Sequence, residues 1–468
     1  MKANVPSFLT LAGAARLIGS RQLSPVELTR ALLKRIEAVD PKVNAFLLVT
    51  AQRAMAAARA AEKTLLAASA SDQHSRLLGI PLAFKDIYET AGVRTTAHSR
   101  ILINHVPKHD AETVRRLRDA GAVMLGKLAT HEFAIGGPAT DLPWPPARNP
   151  WDPRRFTGGS SSGSGAAVAA GMALGALGSD TGGSIRLPAA YCGIAGLKPT
   201  PGLVSRRGVI PLAPSLDTAG PMAWTAEDCA ILMDVLAGHD PADPASVAVP
   251  PIEFARAIEA PLKGLRVGML RRFYEEDVPA ASATLKMMAN AARVFKDLGC
   301  TVQDAVLPPV QDYNGVGRII ISAEAYAMHE ATLKTRLSDY SRVFRIRVLA
   351  GALIRAADYI AAQRRRTDLI AATAEPFRKF DVLVCAPTAD AAPLLNDQRP
   401  DEGFSRPFVT TVANVGAVPS MVVCGGFTDA GLPLGLEIMG PAWGDATVLR
   451  VGHHYEQATG TRDRRPEL

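Results

Sequence analysis

Two glycine-rich serine runs and one distant lysine supply the parts of an acyl-transfer site. Ser184 closes the run Asp180-Thr181-Gly182-Gly183-Ser184. Glycines just before a serine let the backbone turn tightly and present its N–H groups to a substrate. Cleaving an amide takes a nucleophile, a base to activate it and donors to hold the tetrahedral oxyanion. Ser184 is the candidate nucleophile, and the amides of Thr181, Gly182, Gly183 and Ser184 are the candidate oxyanion hole. The run is not a G-x-S-x-G elbow, whose serine sits between glycines. The base need not be histidine. Lys85 follows the apolar stretch Gly79-Ile80-Pro81-Leu82-Ala83-Phe84, and desolvation lowers a lysine's pKa toward neutrality. Ser160, in Gly158-Gly159-Ser160, could bridge Lys85 and Ser184 as a proton relay. On spacing alone the other reading of Lys85 stays open, since a lysine ending a strand is ordinarily a surface charge.

These residues need elements to position them. Residues 79–84 are short, apolar and bounded by glycine, as a buried strand would be, and 122–125 repeats the pattern. Helical spacing over 110–120 lies between them, which indicates an α/β core. The Gly/Ser run 157–165 passes directly into an Ala-rich helix over 166–170, so it is not a flexible spacer. The first sixty-odd residues read as helices. Ser24-Pro25-Val26-Glu27 has the form of a capping box, with Leu23 and Leu28 placed for a hydrophobic staple, and 51–70 continues as an Ala-rich helix. Further strands are expected at 265–270, 301–305, 382–384, 420–423 and 434–439. Helices are expected over 282–298, 341–379 and 445–458. The Pro-rich stretches 143–153 and 240–251 read as surface connections within one domain.

With 468 residues the chain can bury a large core without disulfides or metals. Its 52 Lys+Arg against 45 Asp+Glu leave +7, with no long basic tract, so nucleic-acid binding has no support. The five cysteines, at 192, 229, 300, 385 and 424, are scattered and odd in number, as reduced thiols of a cytoplasmic protein would be. No apolar run is long enough to span a bilayer, and no secretory signal is evident.

Several segments together resemble the amidase signature family. They are Gly79-Ile80-Pro81 through Phe84-Lys85-Asp86, Gly126-Lys127 with Glu132-Phe133-Ala134, Asn149-Pro150-Trp151-Asp152, Gly158 through Ser164, Gly178 through Arg186, and Gly196-Leu197-Lys198-Pro199-Thr200. Weaker similarity extends over nearly the whole chain. The resemblance implies a single α/β domain over 1–468, with a mixed β-sheet core covered by α-helices. A helical N-terminal layer would cover 1–70, the catalytic core 78–220, and the remaining sheet, helices and pocket 221–468. It implies Ser184 as nucleophile, Ser160 as a bridging serine after a cis peptide, and Lys85 as the initiating base. An acyl-enzyme would form with release of ammonia or an amine and then be hydrolysed by water. No metal or other cofactor is implied, and the expected partner is a small-molecule amide. A homodimer through the N-terminal helices is a further expectation. Some relatives are glutamine-hydrolysing subunits of a tRNA-amidating complex, and esters or carbamates are alternative substrates for the same residues.

Asp180 and Arg186 flank the nucleophile and would pair to orient the loop or touch substrate. His131 would face the pocket or be a satisfied structural histidine. Cys192 reads as core packing, Lys127 and Lys198 as structural, and Trp144-Pro145-Pro146 as either a substrate-side loop or a rigid turn. Ala417 stands where the family usually has glycine, Cys424 where proline is frequent, and Ser162 where glycine is commoner.

Overall fold

Short apolar runs set between helices become eleven strands of one sheet in the computed structural model, which describes residues 8–67, 74–398 and 407–468. In chain order they are β1 (Phe46–Val49), β2 (Pro81–Lys85), β3 (Val123–Leu128), β4 (Gly175–Asp180), β5 (Ala195–Lys198), β6 (Thr218–Ala223), β7 (Arg266–Met269), β8 (Thr301–Asp304), β9 (Val382–Cys385), β10 (Ser420–Phe427) and β11 (Pro433–Met439). Their spatial order is β1-β3-β2-β4-β6-β5-β10-β11-β9-β7-β8. β2 runs parallel to β3 and β4, and β7 to β8 and β9, while the remaining pairs are antiparallel. The sheet is therefore mixed, as expected. β2 to β6 are buried at every residue, which is why they read as continuous apolar runs rather than alternating ones. Of the two edge strands, β1 is mostly half-buried and β8 mostly exposed.

The expected N-terminal helices form, with one exception. Phe46–Val49, inside the segment read as helical, is edge strand β1 paired with β3. Ser24 caps the helix Pro25–Val43 by accepting from the amides of Val26 and Glu27. Its own hydroxyl donates to Glu62 on the helix Ala51–Ala67, so the cap also pins two helices together. The expected end of that second helix, residues 68–70, lies outside the described residues.

The long helix expected over 341–379 is broken. Arg342–Leu349 ends in a 3-10 turn, Ala350–Leu353, before Ala356–Ala374 begins. The break comes where Gly351 lies on a neighbouring helix: a Cβ there would sit 2.1 Å from the Ser322 carbonyl oxygen. That neighbour, Val310–Arg336, was not anticipated. Its Asn314-Gly315-Val316-Gly317 stretch depresses local helix propensity, and tertiary packing of buried Tyr313, Val316 and Ile320 overrides it. Ala417 adopts φ +57°, the left-handed region that glycine enters without cost. No helix among the described residues is long and apolar enough to cross a membrane.

The consequence for chemistry lies in β2 and β4. They are adjacent and parallel, with Phe84 opposite Leu177, so their C-terminal ends leave the same edge side by side. One end carries Lys85 and the other leads through Asp180 into the Ser184 loop. Clefts at the carboxyl ends of parallel strands are the usual place for ligands in α/β sheets.

Candidate active site

Lys85 is fully buried, and its ammonium reaches three hydroxyls. Nζ lies 2.7 Å from Ser160 Oγ, 2.8 Å from Ser179 Oγ and 3.1 Å from Ser161 Oγ. Burial drives its pKa down to about 7, against the attraction of Asp180 and Asp217. A lysine held there has a large fraction of neutral amine near pH 7. The reading of Lys85 as an ordinary surface charge is thereby removed.

Ser160 follows a cis Gly159–Ser160 peptide. Its carbonyl accepts from the amides of His131 (3.0 Å) and Ser162 (2.8 Å), and the helix Ser162–Ala169 starts directly after it. The Ser161 amide donates to the Ser184 carbonyl at 3.2 Å, tying the two serine loops together. Ser160 and Ser184 both line one cavity of about 400 Å³. Ser184 is only half-buried, open to that space, and precedes the helix Arg186–Cys192.

The loop carrying Ser184 is fixed from every side. Thr181 Oγ1 donates to Asp217 at 2.6 Å, and the Gly182 carbonyl accepts from Thr410 Oγ1 at 2.9 Å. Gly183 has φ +126°, and a Cβ on it would lie 2.1 Å from Thr410 Oγ1, so only glycine fits. The Gly183 amide donates to Asp180 Oδ1 at 2.8 Å and is therefore spoken for. Thr181, Gly182 and Ser184 line the cavity, and their amides find no acceptor among the described residues. Of the four amides expected to form an oxyanion hole, Gly183's is thus engaged, and the other three have no acceptor among the described residues.

Asp180 and Arg186 form a buried pair beneath this loop, not a substrate contact. Arg186 Nε and Nη2 meet Asp180 at 3.0 and 2.9 Å, Nη1 meets Glu437 at 2.6 Å, and Nη2 meets Asn414 Oδ1 at 2.6 Å. Neither lines the cavity. Burial alone would raise the Asp180 pKa, but Arg186, with Lys198 and Asn414, outweighs it and holds the carboxyl well below the ordinary range. Removing one partner of a buried charged set leaves the others uncompensated. Arg186→Met is expected to destabilise the fold by about 3–5 kcal/mol, with Arg186→Lys recovering only part because it cannot reproduce the fork. Thermal and urea unfolding of the three proteins measures this; unchanged midpoints would contradict it.

His131 does face the cavity. Its ring stacks on Phe156 at 5.9 Å between centroids, and Nε2 has no hydrogen-bond partner among the described residues. Burial, reinforced by the charge of Lys85, pushes its pKa down to about 3, so it is a neutral imidazole. The other flanking residues stay out of the cavity. Lys127 holds the Tyr88 carbonyl and Thr95, Lys198 the Pro199 carbonyl, and Cys192 is buried with its thiol on the Thr157 carbonyl. Trp144 packs edge-on against His98 and does not line the cavity.

Four residues escaped the sequence reading. Ser161 and Ser179 sit inside the motifs already singled out, and only the fold shows that they share Lys85 with Ser160. Arg318 and Arg347 line the cavity from the helices Val310–Arg336 and Arg342–Leu349, and no local signal marks them.

A family model described as Amidase matches residues 27–449. A glutamyl-tRNA(Gln) amidotransferase subunit from Desulfatibacillum aliphaticivorans is 38% identical, over 98% of this chain and 99% of its own. Among solved structures, a chain from a vestigial protein complex bearing on the origins of an s-triazine catabolic enzyme superposes with TM-score 0.89 at 32% identity, covering 98% of this chain and all of that one. The native peptide amidase of Stenotrophomonas maltophilia superposes with TM-score 0.82 at 31% identity, covering 98% of both chains.

Proposed function

This chain belongs to the amidase signature family, and from that premise we propose that it hydrolyses the C–N bond of a small or medium amide through an acyl-enzyme on Ser184. The observation that carries the reading is the buried Lys85 ammonium at 2.7 Å from Ser160 Oγ, behind the cavity into which Ser184 opens. The neutral Lys85 amine takes the proton of Ser160 as Ser160 takes that of Ser184. Ser184 Oγ then attacks the carbonyl carbon. The amides of Thr181, Gly182 and Ser184 receive the developing oxyanion, preset by the Asp180–Arg186 pair and the Thr410 and Asp217 contacts. Collapse breaks the C–N bond, and the proton returns through Ser160 to the departing ammonia or amine. Water then cleaves the acyl-enzyme to a carboxylate and restores Ser184. Neutral His131 offers the leaving group a hydrogen-bonding partner without competing for the proton.

The pH profile tests the lysine directly. A base must be deprotonated to act, so kcat/KM is expected to climb through an apparent pKa near 7, be low below it and level off above it. A profile flat from pH 5 to 9 would contradict Lys85 as the base.

A second reading is favoured by the near-full-length match to a glutamyl-tRNA(Gln) amidotransferase component. There the same residues would release ammonia from glutamine for an acceptor held by partner proteins. Ammonia release by the isolated chain from simple amides supports the first reading. Release from glutamine that begins only on adding the remaining components of such a complex supports the second.

A further inference from the structure

We propose that Ser179 is the proton port of this site: it connects buried Lys85 to a second cavity, separate from the one that takes substrate, through which Lys85 discharges its proton to solvent between turnovers. The inference rests on the amidase reading and extends it to the recovery of the base. Lys85 Nζ meets three hydroxyls, and they lead to different places. Ser160 lines the substrate cavity. Ser161 is fully buried and borders neither cavity. Ser179, 2.8 Å from Nζ, borders a cavity of about 210 Å³ and not the substrate cavity. Ala134 and Leu212 border both, so the two cavities lie back to back. The second opens to solvent, since Arg207, Pro214, Ala242 and Pro244 around it are exposed. Side chains alternate along a strand, so β4 sends Asp180 to Arg186 on one face and Ser179 to Lys85 on the other. Ala219, opposite Ser179 on β6, also lines the second cavity.

Hydrolysis turns an amide and water into a carboxylate, ammonia or an amine, and one proton. The leaving nitrogen departs with the proton that came from Ser184. The water that cleaves the acyl-enzyme gives its hydroxyl to the carbonyl carbon and its proton to Ser184, so the product forms as a carboxylic acid. Such an acid, with a pKa of about 4 in water, is far stronger than a lysine ammonium held at about 7. The carboxylate therefore departs leaving its proton on Lys85, by way of Ser160. Lys85 has to lose that proton before it can act as a base again. The path back through Ser160 ends in the cavity that the next substrate occupies. The path through Ser179 stays clear: its Oγ accepts the lysine proton and passes its own to water in the second cavity. Asp217, on the wall of that cavity, draws positive charge outward, and its charge already acts on Lys85.

Ser179→Ala removes the hydroxyl, while Ser179→Val and Ser179→Thr share one shape and differ only in it. Each is compared with wild type at pH 8 by rapid-quench release of ammonia or amine from the fastest amide of a panel. The rate of Ser184 labelling by a fluorophosphonate is measured beside it. Labelling and the first turnover start from a deprotonated lysine and need no discharge. In Ser179→Ala and Ser179→Val both are expected within about fivefold of wild type, the scale of one lost hydrogen bond. Steady-state turnover in these two should fall about 10²-fold, the lower end of what proton transfer by a positioned group contributes. Product release then shows a burst stoichiometric with enzyme, and Ser179→Thr restores most of the steady rate. Alanine and valine variants that turn over at the wild-type steady rate would overturn the proposal. So would labelling slowed as much as turnover, which makes the hydroxyl a mere prop for Lys85, or threonine as impaired as valine. Each of these leaves the amidase reading in place. A wild type that neither labels at Ser184 nor releases ammonia or amine from any amide would sink the amidase reading, and this inference with it.

Discussion

Replacing Ser184 by alanine is expected to lower kcat about 10⁴-fold or more, since it removes the hydroxyl on which the proposed acyl-enzyme forms. At about 1.4 kcal/mol per decade, that is about 5.5 kcal/mol of lost transition-state stabilisation. Ser184 is half-buried and its side chain ties down no other element, so the loss should come without unfolding. The loop is held instead by Asp180, Thr181, Gly182 and Gly183. Residual turnover would measure what binding and the three free amides achieve alone. The check is ammonia release against the wild type, with thermal unfolding as a control for the fold. Turnover within tenfold of wild type would refute Ser184 as the nucleophile.

The second large effect is expected from Lys85→Met, which keeps an aliphatic side chain of similar reach and removes the amine. Ser160, Ser161 and Ser179 lose their common donor, and Ser160 loses the base that draws its proton. General-base catalysis contributes about 10²- to 10⁴-fold, so kcat should fall about 10³-fold. The rise of kcat/KM through pH 7 should vanish with it, because the titrating group has gone. A rate loss that left this rise in place would show that Lys85 matters for packing and that another group is the base. The two substitutions also differ in stability. Ser184→Ala removes a hydroxyl open to the cavity, whereas Lys85→Met strands buried hydroxyls at about 1–3 kcal/mol for each left unpaired.

How much of this was legible in the chain depends on whether a property is local. The buried strands around Leu82 and Met124 were readable because central strands of an α/β sheet are apolar on both faces. Ser184 and Ser160 stand out in the chain because glycine-rich runs mark where a backbone must turn tightly, and Lys85 because it ends a short apolar run placed in order with them. What local pattern could not supply was everything set by register. That Lys85 meets Ser179 and Ser161 as well as Ser160 follows from the parallel pairing of β2 with β4, which composition does not encode. That Asp180 pairs with Arg186, and not with substrate, depends on Glu437 and Asn414 arriving from more than two hundred residues away. The helix Val310–Arg336 was hidden because Gly315 and Gly317 weaken its local signal, and with it went Arg318. Arg347 was lost inside a helical stretch whose break at Gly351 is imposed by the Ser322 backbone.

The most direct test of the central claim is to find the covalent intermediate. The protein is incubated at pH 8 with an activated amide or a fluorophosphonate, quenched, digested and mapped by mass spectrometry. The account predicts one adduct, on the peptide carrying Ser184, formed quickly in the wild type, far more slowly in Lys85→Met and not at all in Ser184→Ala. An adduct on a different residue, or steady amide turnover with Ser184 unmodified and dispensable, would contradict it.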